Sequence, residues 1–282
     1  MLAVVGGLGA AFAWATTVMC AARATRLIGV LSVLAWVMLT GLAVTLPWAA
    51  SQGVPDLDAS ATFWLTVAGA GNCAGLVLVY SGLRIGKVGV VAPIVSTEGA
   101  IAALIAVLAG ESLAPGAGAA LVVVATGIVL VGMSQDSSGS RAHAHDVRAA
   151  FFAGAAALSF GASLYATGHV ATDVPVSWAI LPPRVIGVLA IAVPLALTAR
   201  LKLTRSALPL VLVAGVAEVG GFASFALGAR HGIAVSAVLA SEFGAVAALA
   251  AFVLFRERVV RLQVVGIAAI AAGVAVLSAL QA

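Results

Sequence analysis

Residues 90–113 read VVAPIVSTEGAIAALIAVLAGESL, and residues 235–259 read VSAVLASEFGAVAALAAFVLFRERV. Each is an apolar run of small and aliphatic residues with no polar–apolar alternation. Each holds one glutamate near its middle, Glu98 or Glu242, and closes on another, Glu111 or Glu257. A helix needs about 20 apolar residues to cross a bilayer, and both runs supply that length. A transmembrane β-strand would instead alternate over about ten residues. The rest of the chain has the same character. Of 282 residues, 63% are hydrophobic and 9% are charged, against about 45–50% and about 25% in a soluble domain. These proportions exclude a soluble domain, a disordered chain and a coiled coil, and imply an all-α integral membrane protein.

Ten such runs are found, at about 2–21, 27–50, 61–81, 88–108, 115–133, 149–168, 178–198, 207–228, 233–254 and 262–281. Ten helices consume about 200 residues and leave only short connections, so no soluble domain fits between them. The longest polar stretch, SQDSSGSRAHAHDVR at 134–148, is the expected linker between halves 1–133 and 149–282.

The halves match at an offset of 146 residues. Trp14 meets Phe160, Gly41 meets Gly187, and Val67-Ala68-Gly69 meets Val213-Ala214-Gly215. Gly75, Gly82, Arg84 and Glu111 meet Gly221, Gly228, Arg230 and Glu257. Two five-helix repeats follow. An odd number of spans per repeat forces the two into opposite orientations. Of the 14 Lys and Arg residues, twelve fall in one set of alternating loops, Arg230 alone falls in the other set, and Arg184 lies inside a span. By the positive-inside rule, both termini face outside and the 134–148 linker faces the cytoplasm. Inverted repeats around a central site are the plan of many secondary transporters.

This organisation resembles the drug/metabolite transporter superfamily and, within it, the EamA family. The fourth and ninth spans quoted above carry the resemblance, as small-residue helices that close on Glu111 and Glu257. The first and sixth spans add AFAWATTVM at 11–19 and LSFGASLYA at 158–166, which resemble the family's aromatic, small and polar segment. The resemblance implies alternating access by two five-helix halves in a bacterial inner membrane. It implies small metabolites, often amino acids, or lipophilic cations as cargo. The charge bias is opposite to that expected of most ten-span relatives, so a direction of transport does not carry over.

Charge inside a span points to function, because a charged side chain at the bilayer centre costs about 2.5–3.5 kcal/mol on insertion scales. Glu98, Glu218 and Glu242 each lie about 14–17 Å into their spans at 1.5 Å per residue. Desolvation favours the neutral form of a carboxyl, which suits these residues to proton exchange. Arg184 is shallower. It is expected to pair with a glutamate, to receive a cargo carboxylate in a bidentate fork, or to snorkel to the headgroups. Asn72 lies 146 residues before Glu218, and the pair suggests a shared cavity. Trp14, Trp36, Tyr80, Phe160, Tyr165 and Trp178 are candidate cavity aromatics. Thr16, Thr17, Ser159 and Ser163 are candidate hydroxyls. Pro93, five residues before Glu98, is a candidate hinge, because proline removes a helical hydrogen bond.

The predicted function is a proton-coupled secondary transporter of small amine-bearing metabolites such as amino acids, acting as a monomer or homodimer. The alternatives are an efflux carrier for lipophilic or quaternary ammonium cations and a divalent-cation transporter. No enzyme, cofactor or nucleic-acid role is expected. The sequence holds no GxxxxGK[ST], no HExxH and no Ser/His/Asp set. The pair His143 and His145 is too sparse for a metal site. Cys20 and Cys73 lie inside apolar runs, where a disulfide framework is not expected.

Overall fold

In the computed structural model, residues 1–86, 88–112, 115–133 and 140–247 are described, with isolated positions between 250 and 276. The tenth expected span and Glu257 fall largely or wholly outside these residues, and the side chains of His143 and His145 also lie outside the described ones. The described residues are helical, with no strand among them. The elements are α1 (Leu2–Ile28), α2 (Val30–Ser51), α3 (Ala59–Ile85), α4 (Val88–Val95), α5 (Glu98–Leu108), α6 (Ala117–Met133), α7 (Ser140–Val170), α8 (Val176–Ile180), α9 (Pro182–Gly187), α10 (Val193–Leu197), α11 (Leu208–Ala229) and α12 (Ile233–Ala240).

Six helical stretches are long and apolar enough to cross a membrane: Leu2–Ile28, Val30–Ser51, Ala59–Ile85, Val147–Val170, Val176–Leu197 and Leu208–Ala229. They correspond to the first, second, third, sixth, seventh and eighth expected spans. The fifth appears as α6, slightly shorter at 17 residues. α7 begins at Ser140, so the second part of the expected linker continues the helix.

Local chemistry explains the boundaries. Gly29, at φ 84°, makes the tight turn between α1 and α2. Asp58 caps α3, its Oδ1 accepting from Ala61 N–H at 2.6 Å. Pro182 opens α9, where its missing N–H costs nothing. A π-helical turn, Val188–Ala192, joins α9 to α10.

The packing is inside-out relative to a soluble protein. Many alanines and glycines and four ionisable residues, Glu98, Arg184, Glu218 and Glu242, are buried, while Phe12, Leu104, Leu158, Leu212 and Leu227 face outward. A solvent of lipid tails offers leucine nothing worse than the interior does, so helices associate through small residues and interhelical hydrogen bonds. α1 packs along α11, and α7 packs along α3. The two interfaces repeat each other. Thr17 donates to Ala214 C=O at 3.3 Å, and Ser163 donates to Ala68 C=O at 2.7 Å. Gly221 admits the Trp14 indole and Gly75 admits the Phe160 ring, both so closely that a Cβ would collide. Gly41 admits the Arg184 side chain, and Gly187 admits Met38. In every case the two members stand 146 residues apart.

The span expected at 88–108 is broken. α4 ends at Val95, Ser96 and Thr97 turn, and Glu98 opens α5. The helix from Ile233 breaks in the same way at Ser241 and Glu242 before residues 243–247 resume it. The amides match too: Thr97 N–H bonds back to Ile94 C=O, and Glu242 N–H to Leu239 C=O, each three residues behind. The two breaks cross one another. A Cβ on Gly99 would meet Ala237 and Ser241, and one on Gly244 would meet Ala92 and Ser96. Here the offset is 145. Pro93, the candidate hinge, lies in α4, and Val238 occupies the equivalent place in the second broken helix. The two breaks share the close crossing and the Ser-containing turn.

Candidate functional site

Where the two broken helices approach α1, α3, α7 and α11, they leave a cavity of about 40 Å³. A space of about 10–15 Å³ admits one water, whereas drug-sized ligands need about 300–1,000 Å³. In this conformation the cavity therefore has room for a few waters and no cargo. Its wall is aromatic and aliphatic: Trp14, Tyr80, Phe160, Phe222 and Phe243 beside Leu76, Val79, Val95 and Leu164, with Thr17. Two carboxyls face it, Glu98 and Glu218. Both are almost wholly buried, at 4% exposure each.

Each carboxyl has a distinct local setting. Glu98 is the first residue of α5. A carboxylate there meets the positive end of the half-helix, an interaction of about 0.3–1 kcal/mol. Glu98 has no cation beside it among the described residues; its charged neighbour is Glu218. Glu218, midway along α11, has an ion-pair partner: Arg184 Nη1 lies 3.9 Å from its Oε1. At that range the attraction is about 4 kcal/mol in a medium of effective dielectric about 20. Removing either partner would leave an uncompensated buried charge. Asn72 is fully buried and adjoins Glu218, although neither of its amide atoms reaches hydrogen-bond geometry with a described partner.

Arg184 does not snorkel to a surface. It is 0% exposed, the largest fully buried side chain among the described residues. It touches two wall residues, Glu218 and Phe222, whose ring centre lies 5.5 Å from its Cζ. It does not itself line the cavity. Met38 Sδ lies 3.9 Å from Nη1, and Gly41 leaves room for the stem. The first turn of α9 is fixed to α3 by Cys73 Sγ, which bonds to Pro183 C=O at 3.1 Å.

The aromatic wall is ordered around Trp14. Its ring meets Phe222 edge-on at 5.0 Å between centres and Phe243 at 6.3 Å and 88°. Its Nε1–H finds no described acceptor, as does the Tyr80 hydroxyl.

The structure thus gathers Glu98, Glu218, Arg184, Asn72 and Trp14, and separates two other candidates from them. Glu242 is buried at 5% exposure but does not line the cavity; its neighbour Phe243 does. The offset of 145 at the crossing explains this. It makes Thr97 the counterpart of Glu242 and Phe243 the counterpart of Glu98, although STEG and SEFG look alike as strings. Tyr165 lies away from the cavity, stacked on His169 at 5.8 Å and edge-on to Trp64 at 5.5 Å. Trp64 and His169 belong to a groove of about 410 Å³ at the α2–α3 loop, which Asp56, Asp58 and Asp173 also line. Trp36 and Trp178 bond to Lys202 C=O and Gly53 C=O at helix ends. Phe222 was legible as a wall residue and was missed: it stands four residues after Glu218, one turn along the same helix face.

A solved crystal structure of a protein, 20% identical, matches over 99% of this chain and 96% of its own with a TM-score of 0.74, which speaks for a shared fold. A comparison with curated protein sequences gives no match. The model of the EamA-like transporter family matches residues 1–133, a span that ends with α6 and contains Trp14, Asn72 and Glu98. Residues 1–133 form an EamA-like transporter family domain, which belongs to the drug/metabolite transporter superfamily.

Proposed function

We propose that this multi-pass membrane protein is a secondary transporter that moves small organic cations bearing an amine or ammonium group, in exchange for protons, by alternating access. The observation that carries the reading is the shared cavity. Glu98 and Glu218 face one aromatic-lined space, and the one arginine near them among the described residues stands behind its wall. A carboxylate ringed by aromatic faces suits a cation, which is attracted to the π-electrons of Trp and Phe. Protonation of the carboxyl and binding of the cation would compete for one charge, which is the coupling that an exchanger needs.

The sequence reading favoured amino acids, with Arg184 receiving the cargo carboxylate. Arg184 is engaged by Glu218 and does not line the cavity, which favours cationic amines over zwitterions. The mirrored bonds and glycine contacts support ten spans arranged as two inverted five-helix repeats, with the small cavity as a closed intermediate of the transport cycle. The loop charges support both termini outside and residence in a bacterial inner membrane.

The test is uptake of radiolabelled quaternary ammonium compounds and, separately, of neutral amino acids into proteoliposomes under an imposed pH gradient, because exchange of one proton for one monocation moves no net charge. Gradient-driven uptake of the ammonium compounds, lost in Glu98→Gln, is the expected result. Uptake of amino acids alone would return the reading to zwitterionic metabolites.

A further inference from the structure

We infer that Arg184 sets the valence of the cargo: by holding Glu218 as a neutral pair behind the wall, it leaves Glu98 as the single uncompensated carboxylate of the cavity, so that monocations are accepted and dications refused. The inference rests on the cation reading above.

The charge count comes from position. Three glutamates are buried near the centre, and Arg184 reaches one of them. Glu242 contributes nothing to the wall. Glu218 contributes a carboxylate, and Arg184 cancels it at 3.9 Å. Glu98 stands at the start of α5 with no cation beside it among the described residues. The other ionisable groups adjoining Arg184 are the Cys73 thiol and the Tyr80 phenol, both neutral at ordinary pH. With Glu98 deprotonated, the form that exchanges its proton for cargo, the wall therefore presents one net negative charge.

The guanidinium is built in. Its stem passes Gly41, where a Cβ would lie 2.8 Å from Cδ. Met38 and Phe222 flank its head. Its Nε–H and one Nη2 group have no hydrogen-bond partner among the described residues, so Glu218 is its main anchor. Met38 occupies the position 146 residues earlier, so the first half carries no cation at the matching place. Arg184 never touches cargo in this scheme. It is a positioning residue that acts through Glu218, and its removal would present the cavity with two carboxylates at once. Specificity of this kind works by excluding the wrong partner as much as by binding the right one.

The test compares tetraethylammonium, with one charge, and hexamethonium, with two, in uptake of the radiolabelled cations into proteoliposomes under a pH gradient. The wild-type chain is expected to prefer tetraethylammonium by about tenfold in apparent affinity, the worth of one ionic contact. Arg184→Met should raise the relative affinity for hexamethonium by about the same factor. Arg184→Met combined with Glu218→Gln should restore the wild-type ratio, because Glu98 is again alone. Arg184→Lys should leave the ratio unchanged. An unchanged ratio in Arg184→Met overturns the inference, as does a double variant that fails to revert. Should Arg184→Met not fold, Glu98→Gln decides. If the pair is neutral, that variant loses uptake of both cations; retained tetraethylammonium uptake would show that Glu218 carries the charge, and would overturn the inference. A wild-type chain that takes up neither ammonium under a pH gradient overturns the cation reading itself, an outcome distinct from uptake with an unaltered ratio.

Discussion

The wall of the cavity comes from both halves of the chain, eight residues from the first and five from the second, and the halves agree in shape while differing in charge. Trp14 answers Phe160, Thr17 stands where Ser163 does, and Leu76 stands where Phe222 does. The interfaces behind them repeat down to single hydrogen bonds. The buried ionisable groups at the cavity do not repeat, unlike Arg84 with Arg230. Glu218 answers Asn72, Arg184 answers Met38, and Glu98 answers Phe243. A symmetric frame is what close helix packing demands, since each glycine fits one opposing ring or side chain. Charge is under the opposite pressure. Duplicating a buried ion costs several kcal/mol, so each charged group occurs once, on whichever half it arose.

The comparison can be broken most forcefully at Glu218. Glu218→Gln leaves Arg184 buried without its counter-ion and should destabilise the protein by about 3–5 kcal/mol. Thermal unfolding in detergent checks this, and its Asn72→Leu counterpart on the other half should cost clearly less. Glu98→Gln removes an unpaired charge and should leave the melting temperature close to that of the wild type. It should abolish proton-driven cation uptake, because the wall keeps no free carboxylate to exchange a proton for cargo, and a labelled-cation flux reads this directly.

Shape symmetry is sharpened by Gly75→Ala and Gly221→Ala. The new methyl groups collide with the Phe160 ring and the Trp14 indole, and each variant should lose about 1–3 kcal/mol through overpacking. Near-equal losses in the two would support the mirrored frame; a loss confined to one would argue against it. Asp58→Ala removes the cap on α3, for about 1 kcal/mol, with transport unchanged. Glu242→Gln should have the smallest effect on transport, within about twofold, since no charge of the wall changes. A large loss of proton-driven cation uptake in that variant would move the coupling carboxyl out of the cavity.

Much of this was legible in the sequence. The long apolar runs marked the helices, and offset 146 named the partners Trp14 with Phe160 and Glu218 with Asn72 before any contact was known. Glu98, Glu218 and Arg184 stood out because charge is rare in such runs. The crossing was not legible. The similar strings around Glu98 and Glu242 invited pairing them, and only the packing of Gly99 on Ser241 and of Gly244 on Ser96 fixes the local offset at 145. One residue of slippage turns a helical side chain by about 100°, enough to bring Phe243 rather than Glu242 to the wall. Of the roles the sequence leaves open for Arg184, pairing with a glutamate is the one the structure shows. Which glutamate was not legible, because a long flexible side chain reaches several ångströms from its backbone, and Gly41 on α2 leaves the space for it.

The partnering of α1 with α11 bears on how the chain is made. Thr17 and Ala214 are 197 residues apart, and α3 likewise finds its main neighbour in α7. During synthesis the early helices emerge long before their partners exist. Asn72 and Glu98 must then reside in the bilayer while α7 and α11 are still on the ribosome, and the same holds for the carboxylate of Glu111, which later receives the Ala234 amide at the start of α12. The first half is therefore not a finished unit that the second joins. It is an open template whose last contacts close only when the chain is nearly complete, so truncated translation products would display polar groups in lipid and be marked for removal by membrane quality control.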